Sequence, residues 1–370
     1  MSIRSRRAAS AVVAAGVLAA VLTACGTTGA DDADADGTVA LLLPEAQTAR
    51  YETTDRPTFE DVAGRRCPGC TLLYANAGED AARQQEQADA MIARGADVLV
   101  LDAVDATAAV SIVAEAERHG VGVVAYDRFI DDPRVDYYVT FDYEVIGYQQ
   151  GRALLASLVD DGDEPDLGPG SASRPGILLV NGSPTDPNAA ELSAGVHRAL
   201  DGTDVEILAE YDTPGWSPTR AQEWVSGQYT QFGGHVHGVA AANDALAGGA
   251  IAALKAAGAD PVPPVTGQDA ELAAVQRVVD GDQLMTVAKA HDQQARTAAE
   301  VAVRLLRGET PVASSTIGGI KSFVLAPTPV WADDVQRVIV DGRVHTVEEI
   351  CTPAYAASCA RLGLTEEGAP

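Results

Sequence analysis

From residue 38 onward, short apolar runs alternate with amphipathic stretches, and that alternation restricts what the chain can become. Strands are expected at 38–43, 71–75, 97–102, 121–126, 137–141, 176–181, 205–211, 237–242, 262–267 and 284–288. Between them lie helical patterns at 79–94, 105–119, 144–159, 188–200, 217–231, 244–257, 269–280 and 291–307. In 79–94, for example, Ala81, Ala82, Gln85, Ala88, Met91 and Ile92 recur at three- and four-residue steps. Repeated βα units mean parallel strands covered by helices on both faces. Roughly 330 residues of such units exceed one ordinary core and divide into two parallel-sheet lobes. Ala, Val, Leu and Gly dominate while aromatics are only 5%, a palette that suits close packing of helix on sheet.

In open α/β sheets, ligands bind beyond the carboxyl ends of the strands. Reading each strand to its end gives Asn76, then Asp127 and Arg128, Asp186 and Asn188, Trp216, Asn243 and Asp244, Gln268 and Asp269, and finally Lys289. Any single Asn or Asp here could merely cap a helix, as expected for Asp80 and Asp244. Arg, Lys, Asp, Asn and Trp together across five strand ends point instead to a ligand. A sugar hydroxyl both donates and accepts, so its site needs carboxylates beside cations and amides. The apolar face of a pyranose ring needs an aromatic plate, which Trp216 and Tyr51 can supply.

The remaining features concern location and partners. Arg4, Arg6 and Arg7, an apolar run from Ala8, and Leu22-Thr23-Ala24-Cys25 describe an export signal. Its end resembles the lipobox of bacterial lipoproteins, whose Cys, here Cys25, is acylated after cleavage. The body is then expected outside the cytoplasm, held to the cell membrane by lipid alone. No second apolar run approaches the roughly 20 residues of a membrane-crossing helix. With 53 acidic against 26 basic side chains, nucleic acid is excluded as a partner. Four further cysteines in an oxidising compartment suggest disulfides between near neighbours, Cys67–Cys70 and Cys351–Cys359. Cys67-Pro68-Gly69-Cys70 precedes a strand rather than opening a helix, which favours a bridge over redox chemistry. The acidic stretch 160–175 lacks the ligand spacing of a calcium loop and reads as a surface insertion.

Five motifs resemble the periplasmic D-xylose-binding proteins, monosaccharide receptors of ABC importers. They are Ala-Tyr-Asp-Arg-Phe-Ile (125–130), Tyr-Val-Thr-Phe-Asp (138–142), Gly-Ser-Pro-Thr-Asp-Pro-Asn-Ala (182–189), Ala-Asn-Asp-Ala-Leu-Ala-Gly-Gly-Ala-Ile (242–251) and Thr-Gly-Gln-Asp-Ala-Glu-Leu (266–272). The resemblance runs from about residue 38 to about residue 345 and implies a type I periplasmic binding protein: two Rossmann-like lobes joined by a three-segment hinge. It places crossovers near 142, 289 and 323. The implied division is a signal peptide (1–24), the lipidated Cys and a flexible spacer (25–37), a first lobe (38–142 plus 290–322), a second (143–289 plus 323–362) and a tail (363–370). Sugar contacts implied by the match are Arg50, Arg128, Asp186, Asn188, Trp216, Asn243, Asp269 and Lys289, with Tyr51 standing where the family often has Trp. Asn76 joins them from the strand-end reading. Around Lys289 the family commonly shows Tyr-Lys-Pro, whereas this chain has Ala288-Lys289-Ala290.

The expected protein is therefore a monomeric, lipid-anchored solute-binding protein that captures a monosaccharide, D-xylose first, and passes it to an ABC permease. It is expected to be no enzyme and to need no cofactor or metal: there is no Ser-His-Asp elbow, His-Glu-x-x-His helix or metal-ligand cluster. His235 and His237 read as surface residues. A sugar sensor signalling to a membrane kinase or chemoreceptor stays open beside transport. A glycosidase using Asp186 and Asp269 is the weaker rival, since the expected Arg and Lys neighbours would keep both carboxylates ionised. A sugar-responsive repressor lacks its basic helix-turn-helix.

Overall fold

The computed structural model describes residues 37–159 and 174–364. The signal peptide, Cys25, nearly all of the spacer, most of the 160–175 insertion and the end of the tail lie outside the described residues. In chain order the first lobe begins with β1 (Thr38–Leu43), α1 (Arg56–Arg66), β2 (Thr71–Asn76), α2 (Ala81–Ala93), β3 (Val98–Leu101), α3 (Val110–His119), β4 (Gly122–Tyr126) and β5 (Tyr137–Phe141). The chain crosses to the second lobe through α4 (Tyr143–Val159), β6 (Gly176–Asn181), α5 (Pro187–Leu200), β7 (Glu206–Asp212), α6 (Pro218–Phe232), β8 (Val236–Ala241), α7 (Asp244–Ala256), β9 (Val265–Thr266), α8 (Leu272–Asp280) and β10 (Thr286–Ala288). It returns through α9 (His291–Leu306), β11 (Ser315–Ile317) and β12 (Ile320–Leu325), and ends with β13 (Thr328–Val330), α10 (Val347–Ile350) and α11 (Ala356–Leu362).

The first sheet has the order β11-β12-β5-β4-β3-β1-β2 and is parallel except for the β11–β12 hairpin. Its strands β1, β3, β4 and β5 are buried on both faces, as their unbroken apolar runs require: Val39, Leu41 and Leu43 pack on α1 and α9, while Ala40, Leu42, Leu99 and Leu101 face α2 and α3. The second sheet, β7-β6-β8-β9, is wholly parallel, and a Thr266–Met285 bridge links it to the antiparallel pair β10–β13. Small residues let α4 and α5 cross closely: a Cβ at Gly147 would lie 1.9 Å from the Leu192 carbonyl oxygen.

Several boundaries depart from expectation for local reasons. The helix expected from 105 starts only at Val110, because Asp105 Oδ1 accepts from the Thr107 and Ala108 amides and holds a turn. The strand expected at 262–267 shrinks to Val265–Thr266, since Pro261, Pro263 and Pro264 have no amide to pair. Asp80 caps α2, but α7 is capped by Asn243 rather than Asp244. The last crossover lies later than 323: β12 pairs with β5 as far as Leu325–Phe141, so Phe323–Leu325 stay in the first sheet. The hairpin at 315–325 was not expected; Gly318 and Gly319, at φ 56° and 86°, supply its two-residue turn. Beyond β13 the chain packs Val335, Ile339, Ile350 and Cys359 against Val275, Val278 and Val279 of α8. The structure places the sulfurs of Cys67 and Cys70, and those of Cys351 and Cys359, in bonding contact. Cys67 follows the C-terminus of α1, not the start of a helix.

Candidate functional site

The carboxyl ends of both sheets face one small cavity. The β1–α1 connection contributes Glu45, Thr48, Arg50 and Tyr51, and the end of β4 contributes Asp127 and Arg128. From the second lobe come Asp186 and Asn188 after β6, Trp216 after β7 and Asn243 after β8. Gln268 and Asp269 follow β9; Tyr143 and Lys289 stand at the first two crossovers. Two of these polar residues are helix caps as well as lining groups: Asp186 accepts from Asn188 N (2.9 Å) and Asn243 from Leu246 N (2.9 Å). Capping and ligand contact are thus compatible roles here. Asp127, Trp216 and Asp269 hold positive φ (62°, 50° and 103°), which costs free energy and persists only where the surroundings impose it.

Polar contacts cross between the lobes around the cavity. Arg128 Nε lies 2.9 Å from Asp186 Oδ2, Asn188 Nδ2 donates to Asp127 Oδ1 (3.0 Å), and Thr185 Oγ1 donates to the Val104 carbonyl (3.1 Å). At the hinge, Lys289 Nζ donates to Tyr143 Oη (3.1 Å) and sits 3.0 Å from Asp269 Oδ1. Arg50 is largely committed within its own lobe, to Asp55 (2.8 Å), Asp127 (2.6 Å) and Gln294 (2.7 Å).

These contacts set the charges. Burial raises the Asp127 carboxyl, but Arg50 and Lys289 outweigh it and leave it well below the usual range. Asp269 is likewise depressed, its burial overcome by Lys289. For Asp186 the balance goes the other way: burial exceeds the pull of Arg128 and the carboxyl moves up, contrary to the expectation from its neighbour alone. Asp55, behind Arg50, is raised by burial to about 7. His291 is pushed down to about 3 by burial and then by Arg50.

Within this ring some polar atoms are spent and others are not. Asn188 Oδ1 and Gln268 Oε1 are buried without a hydrogen-bond partner among the described residues, while Arg128 Nε and Asp269 Oδ1 are held there by ion pairs to Asp186 and Lys289 without a well-directed hydrogen bond. Leaving two amide oxygens unpaired is costly, and beside two charged groups that can still take a hydrogen bond they mark a place for a polar molecule. Beside them the Trp216 indole is fixed by its Nε1 bond to Asp186 Oδ2 (3.1 Å). A Cβ at Gly182 would come within 2.2 Å of that ring, so glycine is required beneath it.

Of the residues expected at the site, Arg50, Tyr51, Arg128, Asp186, Asn188, Trp216, Asn243, Asp269 and Lys289 all line this cavity. Asn76 does not. Its Nδ2 donates to the Glu45 carbonyl (2.8 Å) and Glu52 Oε1 (3.0 Å), and its Oδ1 accepts from Gly78 N (2.9 Å), so it braces the β1–α1 connection. Glu45, Thr48 and Tyr143 line the cavity without having been expected; Asp127 and Gln268 were seen at strand ends but not assigned as contacts. His235 and His237, partly buried, stack edge-on at the far end of β8 with ring centroids 5.4 Å apart. No group of three potential metal ligands occurs among the described residues.

Residues 39–310 match the periplasmic binding protein domain family. The chain is 33% identical over 320 residues to the D-xylose-binding periplasmic protein of Escherichia coli K12, covering 84% of this chain and 92% of that one. This chain belongs to the periplasmic sugar-binding protein family. The family consists of solute-binding proteins, and the chain is not an enzyme. It is also 28% identical over 340 residues to the multiple sugar-binding periplasmic receptor ChvE of Rhizobium radiobacter, covering 85% and 92% of the two chains. An ABC transporter solute-binding protein from Clostridium phytofermentans with bound β-D-glucose superposes with a TM-score of 0.74 at 26% identity, covering 85% of this chain and 99% of that one. The type I architecture of these proteins is the two-sheet arrangement described above.

Proposed function

We propose that this chain is a lipid-anchored extracytoplasmic receptor that captures one monosaccharide, D-xylose first among candidates, between its lobes and delivers it to an ABC import permease. The observation that carries the sugar reading is the mixed cavity wall: two amide oxygens without a hydrogen bond, and an ion-paired guanidinium donor and carboxylate oxygen, beside an indole face. Mixed donors and acceptors suit hydroxyls, which do both, and the indole suits an apolar ring face. The nine cavity residues expected from the sequence are the proposed contacts, with Asp127 and Tyr143 holding them in place. Because both lobes supply partners, sugar binds the closed form more tightly and shifts the population toward it. D-Xylose leads because of the identity to the Escherichia coli relative; the glucose-bound neighbour makes D-glucose the first competitor.

A thermal-shift screen of the mature chain against aldopentoses and aldohexoses tests this, since a ligand that binds only the native state raises the midpoint. D-Xylose is expected to give the largest shift. If no monosaccharide moves the midpoint, sugar capture is wrong. The anchor rests on Leu22-Thr23-Ala24-Cys25; Cys25→Ala should release the protein from membranes, and its retention there would contradict lipidation. Both cysteine pairs are proposed as disulfides and the protein as a monomer. Four free thiols in the unreduced mature chain would refute the first, and a dimer mass in solution the second.

A further inference from the structure

Asp269 reaches the cavity from a backbone that L-residues rarely adopt. Both Asp269 and the following Ala270 have positive φ, 103° and 53°. Three ties hold this turn from inside the second lobe. Asp269 N donates to the Val287 carbonyl (2.9 Å), Ala270 N to Thr286 Oγ1 (3.2 Å) and Glu271 N to Asp244 Oδ2 (3.1 Å). A fourth comes from far along the chain: His345 Nε2 donates to the Ala270 carbonyl oxygen at 2.8 Å. That tie fixes the Ala270–Glu271 peptide, closes the far side of the positive-φ turn and so limits which way the Asp269 side chain leaves the backbone. His345 lies in the terminal segment, beyond the matched family region 39–310. Its own position is secured just downstream, where Thr346 and Glu349 cap α10 reciprocally and Ile350 and Cys359 pack against α8.

We propose that His345 is a positioning residue for Asp269, which makes the C-terminal segment 326–364 part of the sugar-binding machinery and not only a cover for α8. The proposal rests on the sugar-binding reading for its consequence, but its physical core concerns the turn itself. Removing the imidazole donor leaves the buried Ala270 carbonyl unpaired and frees the 270–271 peptide, so that Ala270, and Asp269 before it, can relax out of the left-handed region. The Asp269 carboxylate then has to be repositioned each time sugar binds.

The test uses the full chain and two variants: His345→Phe, which keeps a ring but removes the donor, and His345→Gln, which keeps a donor. Without ligand, hydrogen exchange of a peptide covering 268–271 should quicken in His345→Phe and stay near the parent in His345→Gln. Titrated with D-xylose, His345→Phe should lose affinity by about tenfold, the equivalent of one hydrogen bond to a buried carbonyl, and His345→Gln should restore most of it. In an Asp269→Asn background the same His345→Phe change should cost almost nothing further; a merely structural role would cost the same in both. Unchanged exchange at 268–271, or equal losses in the two backgrounds, overturns the proposal. If the parent fails to bind D-xylose, the D-xylose reading fails, while the exchange measurement still decides whether His345 holds the turn.

Discussion

Replacing Arg128 by Met isolates the cation on which closure turns. The side chain is only 2% exposed, and its Nη1 donates to the Ala103 carbonyl at 2.8 Å. Its Nε faces Asp186 across the cleft at 2.9 Å and Asp102 of its own lobe at 3.5 Å. Methionine fills most of the stem's volume, so the change is chiefly one of charge. Without the guanidinium, two buried carboxyls that burial already raises lose the cation that opposed it. Removing one partner of a buried pair costs about 3–5 kcal/mol. The Ala103 contact is lost in the open form too, so the share felt by binding is the Asp186 pair and the bond to ligand. That share is about 2–4 kcal/mol, or roughly 30- to 1,000-fold in Kd. Calorimetric titration with D-xylose at neutral pH reads it directly. The sign of the pH effect follows from the same charges: as pH falls, the freed carboxyls take up protons and closing over them costs less. The Arg128→Met variant should therefore regain affinity on acidification while the parent does not. Adding Asp186→Asn should also recover part of the loss, because the pair is coupled. A variant within threefold of the parent at neutral pH would refute the reasoning.

Gly182→Ala should push the Trp216 ring off its seat and lower D-xylose affinity by about tenfold, the worth of one well-placed aromatic contact, with a changed tryptophan emission; unaltered binding and emission would count against the ring as a sugar plate. Asp102 is wholly buried with no hydrogen bond to either side-chain oxygen among the described residues and only the 3.5 Å ion pair to Arg128, so Asp102→Asn should tighten sugar binding severalfold, and weaker binding would show that its charge is needed. Burial raises Asp55 and Asp244 to about 7 and Glu271 to about 8. The folded state therefore binds more protons than the unfolded one near neutrality, and its stability must fall as pH rises. The thermal midpoint of the sugar-saturated protein should climb from pH 8 to about pH 6.5, below which His291, buried neutral, begins to oppose the trend. A midpoint that falls over that window would contradict these assignments.

Much of the site was legible because the fold converts sequence order into position. Polar residues at the ends of buried parallel strands must emerge at one side of a sheet, and two such sheets facing each other bring them together. The same rule misplaces Asn76 for a physical reason: β2 is the outer strand of its sheet, beyond β1 and β3, and its end opens beside the cavity instead of into it. Glu45 and Thr48 sit in an irregular connection with no periodicity to read; Glu45 accepts the Thr48 amide and shapes the turn from which Arg50 projects. Tyr143 becomes a lining residue only because two crossovers meet, where its hydroxyl links Asp127 to Lys289. Asp127 could have been assigned from sequence, since it directly precedes Arg128 at a strand end. That it serves mainly to orient neighbours follows from its four partners, which only the assembled lobes reveal. His345 carried no sequence signal at all: its role depends on a backbone carbonyl 75 residues away.

The most direct measurement is a crystal structure of the mature chain with D-xylose. The sugar should lie in the interlobe cavity with one ring face on Trp216, and its hydroxyls should engage Arg128 Nε, Asn188 Oδ1, Gln268 Oε1 and Asp269 Oδ1. Electron density for the sugar elsewhere, or those four atoms out of hydrogen-bond reach of the bound sugar, would contradict the account.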